Sequence, residues 1–101
     1  MDNQAKLQTK LEALLGSRNV YYQPPASLLM KYPAIRYSKS NIMSTHADNV
    51  KYSSYKQYEI IVIDNLPDND VIQKILDLPL SSFDRHYEKD GLHHDVIKLY
   101  F

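Results

Sequence analysis

The 101-residue chain has no cysteine, no tryptophan and only two glycines, and its twelve basic residues are matched by twelve acidic ones. Without cysteine there is no disulfide framework, no thiolate metal ligand and no cysteine nucleophile, and such a chain fits a reducing compartment. Two glycines cannot build a phosphate-cradling loop, and neither G-x-S-x-G nor H-E-x-x-H occurs. A formal net charge of zero supplies no bulk field to draw the protein to nucleic acid or an anionic membrane. Long apolar runs are missing too. No stretch approaches the ~20 residues of a membrane span, and Met1-Asp2-Asn3-Gln4 lacks the basic start and apolar middle of a signal peptide. A soluble, non-exported protein that recognises partners by shape or local patches is the expectation.

What is present is a single domain's worth of chain with an unusual aromatic balance. Nine tyrosines stand against two phenylalanines, and all nine fall in segments that read as strands or their edges. Tyrosine suits a half-buried surface because its ring packs while its hydroxyl reaches water or a partner, and it is enriched at protein interfaces. Tyr55 to Asp64 is the most strand-like run: Ile60, Ile61, Val62 and Ile63 are β-branched and suit a pleated surface covered on both sides. We take it as the central strand.

The chain opens with a helix over about Asn3 to Leu15. Leu7, Leu11, Leu14 and Leu15 share one stripe, with Lys6, Gln8, Lys10 and Glu12 opposite. Asp2 or Asn3 can cap it and Gly16 can end it in the left-handed conformation. Val20 to Gln23 is at most an edge strand, because Pro24-Pro25 cannot donate to a ladder. Ala26 to Lys31 could form a helical turn before Pro33. Ala34 to Lys39 reads as a strand with Ile35 and Tyr37 on one face. Ser40 to Ser54 is either a long loop or an extended hairpin with its tip near Asp48-Asn49. After the central strand, Asp68 or Asn69 caps a helix running to about Leu78, with Val71, Ile72, Ile75 and Leu76 as its stripe and Pro79 as its stop. The last third is a hairpin, Phe83 to Glu88 and Leu92 to Phe101, turning at Lys89-Asp90-Gly91. Ile97, Leu99 and Phe101 then enter the core, leaving Val96, Lys98 and Tyr100 on the other face. The fold class is α+β, a mostly antiparallel sheet of about four strands with two helices packed on one face, in the order α-β-β-β-α-β-β. The second sheet face would carry Ile61 and Ile63, and an apolar, aromatic patch there would mark an assembly surface.

Residues that carry chemistry are few. His86 could meet His93 or His94 across the hairpin, with Asp84 or Asp95 nearby, making a conceivable two-histidine, one-carboxylate metal site. Adjacent histidines in a strand point to opposite faces, so only one of them can join His86. The plainer reading is polar-face or interface histidines that titrate near neutral pH. Ser81, Ser82, Asp84 and His86 include the residue types of a catalytic triad, but crowding in one strand is not triad geometry. Arg36-Tyr37, Lys51-Tyr52, Tyr55-Lys56 and Lys98 with Tyr100 interleave bases with aromatics as an RNA-binding sheet would. No catalytic, metal or cofactor site is expected.

Three segments carry a resemblance. Tyr22-Gln23-Pro24-Pro25 with Lys31 to Tyr37, Tyr58 to Asp64 with Pro67-Asp68, and Ser82-Phe83-Asp84-Arg85-His86-Tyr87 with Leu92 to Asp95 together resemble a family of small structural proteins of tailed bacteriophages, encoded among the head-to-tail joining genes. The likeness spans most of the chain after Asn19, and the Phe83 to Tyr87 segment is its most specific part. The element order is similar to that of tail terminators, or tail-completion proteins. The resemblance implies a helix-flanked antiparallel sheet assembling into a ring, as a homohexamer. That ring would cap the tail tube, stop tube polymerisation and dock the head connector. It further implies partners in the tail tube protein and the connector or stopper, phage DNA passing through the lumen without sequence-specific binding, no enzymatic activity, and a virion location after assembly in the host cytoplasm. The alternatives are another neck component (a head-tail stopper or connector) or a small RNA-binding module. The family supplies no residue-level site. From loop length and expected exposure we place the interface at His46, Asp48, Tyr52, Tyr55, Tyr58, Arg85, His86, Tyr87, His93 and Tyr100.

Overall fold

The computed structural model describes residues 3–25, 28–47 and 50–101, with the backbone alone at residue 3 and over 41–47 and 50–55. Its elements are α1 (Asn3–Leu15), β1 (Val20–Tyr22), β2 (Ala34–Ala47), β3 (Val50–Asp64), α2 (Asp70–Leu76), β4 (Ser81–Lys89) and β5 (Leu92–Tyr100). The strands form one five-stranded sheet in the order β1-β2-β3-β5-β4. The short β1 runs parallel to β2, and the other pairings are antiparallel. The sheet is thus mixed, with five strands where about four, mostly antiparallel, were expected. The difference is β1, which the double proline confines to three residues at the margin but does not exclude from the ladder.

Period-2 alternation sorts the strands into two faces. Val20, Ile35, Tyr37, Tyr58, Ile60, Val62, Ile97 and Leu99 are buried together with Leu7 and Leu11 of α1 and Val71 and Ile75 of α2. Both helices therefore lie on one face, and each fully buried aliphatic side chain there contributes about 1.5–3 kcal/mol of transfer free energy. Phe101 packs at the margin of this core rather than inside it. Tyr37 and Tyr58 are 1% exposed, so these two tyrosines are core residues, not boundary ones. Gln8, expected on the solvent side of α1, instead reaches the sheet: it accepts from Tyr37 Oη at 2.6 Å and donates to the Val20 carbonyl at 3.0 Å. A long amide at the flank of a leucine stripe can turn inward when a buried hydroxyl needs a partner.

Local signals account for most element ends. Gly16 (φ 79°) closes α1, its N–H donating to Glu12 O at 2.9 Å. Asn69 caps α2, its Oδ1 accepting from Val71 N at 2.9 Å, while its Nδ2 donates to the buried Asp64 at 2.7 Å. The helix ends at Leu76, short of Leu78, because the residue before Pro79 is disfavoured in the helical region. No helical turn forms over Leu28–Lys31, and Ala26 and Ser27 lie outside the described residues; Asp2, the alternative cap of α1, lies outside them as well.

Candidate functional site

The segment left open between loop and hairpin is a hairpin. β2 and β3 pair continuously from Ala34↔Ile63 to Ala47↔Val50, with register shifts at Lys39/Asn41 and Thr45/His46. Their neighbours stop earlier, β1 at Tyr22↔Tyr37 and β5 at Gln57↔Tyr100. Beyond those pairs, β2 and β3 continue as a two-stranded ribbon, which accounts for a longest dimension of 51 Å against 23 Å in the other two. His46, Tyr52 and Tyr55 lie on the ribbon's strands, whereas Asp48 and Asn49, the expected tip, lie outside the described residues.

The helix-free face of the sheet is assembled from every second residue. Ala34, Ile61, Ile63 and Val96 form its centre by register, and Arg36, Glu59, Arg85, Tyr87, His94, Lys98 and Tyr100 surround them. Glu59 is the electrostatic hub, 3.3 Å from Lys98 Nζ and 4.0 Å from an Arg85 nitrogen. Since β5 lies between β3 and β4, the Glu59–Arg85 pair passes over it, and Val96 beneath is 0% exposed. The Arg85 guanidinium also stands 5.8 Å from the centroid of the Tyr87 ring, and Tyr87 stacks on His94 at 4.6 Å and 9°. Tyr100 Oη accepts from Gln57 Nε2 at 3.1 Å. The second face is thus neither a bare apolar patch nor wholly polar. Its apolar centre is largely roofed by long polar side chains from the same chain, with Ile61 partly open.

Of the expected interface residues, Arg85, Tyr87 and Tyr100 share this face. Tyr58 does not: it faces the helices and is buried in the protomer's own core, because the strand's alternation puts it on the same side as Ile60 and Val62. His86 and His93 occupy the helix side at the β4–β5 end. The turn there is Asp90-Gly91 alone (φ 54° and 74°), so Lys89 pairs with Leu92 and the register shifts by one from a three-residue turn. His86 consequently lies opposite Asp95, and Glu88 opposite His93. His86 Nδ1 is 2.7 Å from Asp95 Oδ1, and His93 Nδ1 is 3.3 Å from His86 Nε2. His93 joins His86, and His94 goes to the other face. Glu59 escaped the sequence reading, and His94, weighed there as a partner of His86, instead lies against Tyr87, as the two-residue turn signal taken strictly would have placed it.

Burial pushes the Tyr37 phenol above its ordinary value, opposed by the hydrogen bond from Gln4. An open apolar depression of about 230 Å³ is lined by Leu78, Pro79, Leu80, Leu99, Tyr100 and Phe101, and no set of polar groups converges there to position a substrate. Among the described residues, no group of three or more His, Cys, Asp or Glu side chains is arranged to hold a metal ion, and no helix is long and apolar enough to cross a membrane. Compared with known protein families and with curated proteins, the chain matches none.

Proposed function

We propose that this chain is a structural virion protein of the phage neck, a tail terminator that forms a ring, most simply a hexamer, on the end of the tail tube. The observation that carries this reading is the β2–β3 ribbon, which leaves the sheet with no third strand on either side among the described residues. A two-stranded ribbon is marginal by itself in water, and its unpaired N–H and C=O groups are a template for another chain. Contact with a neighbouring copy or with the tube protein gives it a partner. The Arg85, Tyr87, Tyr100 and Ile61 surface, a partly open apolar centre inside a polar and aromatic rim, has the anatomy of a second contact. The three segments resembling head-to-tail joining proteins agree with both. On this reading the fold is that of a tail terminator, the location is the virion and the mechanism is capping by shape. The protein stops tube growth and offers the head connector a docking surface, with no bond made or broken.

Native mass measurement of the purified chain, alone and with the tail tube protein, tests the proposal. The expected result is a hexamer, or a capped tube of defined length, that is lost when residues 41–56 are replaced by a two-residue Asn-Gly turn joining Ser40 to Gln57. A monomer at every concentration that leaves tube length unregulated refutes it. Binding to the connector without binding to the tube would assign the chain to a stopper role instead.

A further inference from the structure

We propose that copies of this chain associate head to tail through the two outer margins of the sheet, the α1–β1–β2 margin of one copy meeting the α2–β4 margin of the next. Charge is divided between these margins. Residues 1–57 carry eight basic and three acidic side chains and residues 58–101 four basic and nine acidic, so a chain of zero net charge has one half at +5 and the other at −5. The fold keeps the halves apart. The strand order β1-β2-β3-β5-β4 sets β1 and β2 on one side of the sheet and β5 and β4 on the other, and α1 packs on β1 and β2 while α2 packs on β4. Lys6, Lys10, Arg18, Lys31, Arg36 and Lys39 are exposed in the first half, where the half-buried Glu12 is the one acid with a described side chain. Asp68, Asp70, Asp77, Asp84, Glu88 and Asp90 are exposed in the second, against Lys74, Arg85 and Lys89. The remaining acids there are engaged within the protomer, Glu59 by Lys98, Asp64 by Asn69 and Asp95 by His86.

The partner that fits each margin is a second copy. A basic surface alone would suit any polyanion, but a basic surface whose equal and opposite counterpart lies across the same molecule suits that molecule. A two-fold contact through either margin would set like charge against like. A head-to-tail contact sets basic against acidic, and it repeats until its rotation closes a ring. The inference therefore rests on the ring proposed above and names the surfaces that build it. Both margins also expose apolar groups: Leu28 and Leu29, the latter 92% exposed, in the β1–β2 connection, and Leu80 and Phe83 beside and on β4. Leu80 holds a left-handed backbone (φ 64°) that is costly for a bulky residue, and it borders the open apolar depression described above. Such groups supply area at the centre of a contact, while the surrounding charges select which margin meets which and speed the encounter. The contact is one of side chains, since β1 spans three residues and β4 is interrupted at Phe83/Arg85.

Charge reversal of one margin at a time in the full chain tests this, at exposed positions only: Lys10→Glu/Arg18→Glu/Lys31→Glu on the basic side and Asp77→Lys/Asp84→Lys/Glu88→Lys on the acidic side. Each variant is checked for an unchanged circular dichroism spectrum, and native mass is measured alone and with the tail tube protein. Either triple variant by itself should need about 10-fold or more protein for half assembly. Mixing the two in equal amounts should restore the ring as alternating copies, because each reversed margin then meets its complement, and one chain carrying all six substitutions should assemble like the wild type. A ring that forms equally well in the wild type and in both triple variants overturns this inference and leaves the ring itself standing. A mixture that assembles no better than either variant overturns it as well. A wild-type chain that stays monomeric with and without the tube protein overturns both readings, and if that monomer binds duplex DNA in a way the basic-side variant abolishes, the basic margin serves a polyanion instead.

Discussion

Replacing Tyr37 by phenylalanine tests how α1 is held to the sheet, because it removes one oxygen atom and leaves the packing in place. The ring keeps its neighbours Tyr22 and Tyr58, with centroids at 4.9 and 6.1 Å. What disappears is a hydroxyl that accepts from Gln4 Nε2 at 2.7 Å and donates to Gln8 Oε1 at 2.6 Å. Each such bond is worth about 1 kcal/mol net. Both glutamines are only part-buried and recover some hydration, so the expected loss for Tyr37→Phe is about 1–2 kcal/mol, with each kcal/mol lowering Tm by about 4–8 °C in a domain of this size. The pH dependence supplies an independent check. Burial raises the folded-state value of Tyr37 above 10.0, so the unfolded chain releases this proton first. The stability linked to it is complete below the unfolded value and is lost as the pH climbs through the folded one. Urea denaturation of both chains at neutral pH and at about pH 10–11 should therefore show a gap that narrows on the alkaline side. Equal stability at neutral pH, or a gap that stays constant with pH, would refute the description of this contact.

Leu11→Ala should cost about 2–5 kcal/mol in the same urea assay, since Leu11 is 0% exposed beneath α1; a cost below about 1 kcal/mol would mean that the helix does not dock as described. Gly91→Ala meets no atom within 4 Å, but its φ of +74° is left-handed, so a loss of about 1–2 kcal/mol is expected from the backbone alone, and an unchanged Tm would argue against the two-residue turn. Asn69→Ala removes the cap of α2 and a donor to buried Asp64. About 1 kcal/mol should be lost, with no loss contradicting the cap.

The parts of this fold that were legible in the sequence are those written in short-range chemistry. The leucine stripe and Gly16 marked α1, Asn69 and Pro79 bracketed α2, and Asp90-Gly91 marked the last hairpin. The alternation of Tyr58, Ile60 and Val62 against Ile61 and Ile63 was legible too. What was not legible depended on partners far away in the chain. Ser40 to Ser54 has weak alternation and many small polar residues, so nothing local distinguished a loop from strands that continue their neighbours' ladder. Tyr58 looked like an interface residue because nothing local says which face of β3 the helices cover, and they cover the one it shares with Ile60. The histidine pairing hinged on one residue of turn length, which moved His93 rather than His94 next to His86. Glu59 became an ion-pair hub only because β5 intervenes between β3 and β4, an order that no local pattern announces.

The sheet's two outer margins are poor templates for further growth. On one side β1 offers three residues before Pro24-Pro25. On the other, β4 is broken by a bulge at Phe83/Arg85 and carries Asp84, Arg85, Glu88 and Lys89. A misfolded or crowded copy thus meets kinked, charged or proline-stopped borders wherever it approaches the globular end. Runaway fibre formation is discouraged there, whereas the β2–β3 ribbon offers open backbone over many residues.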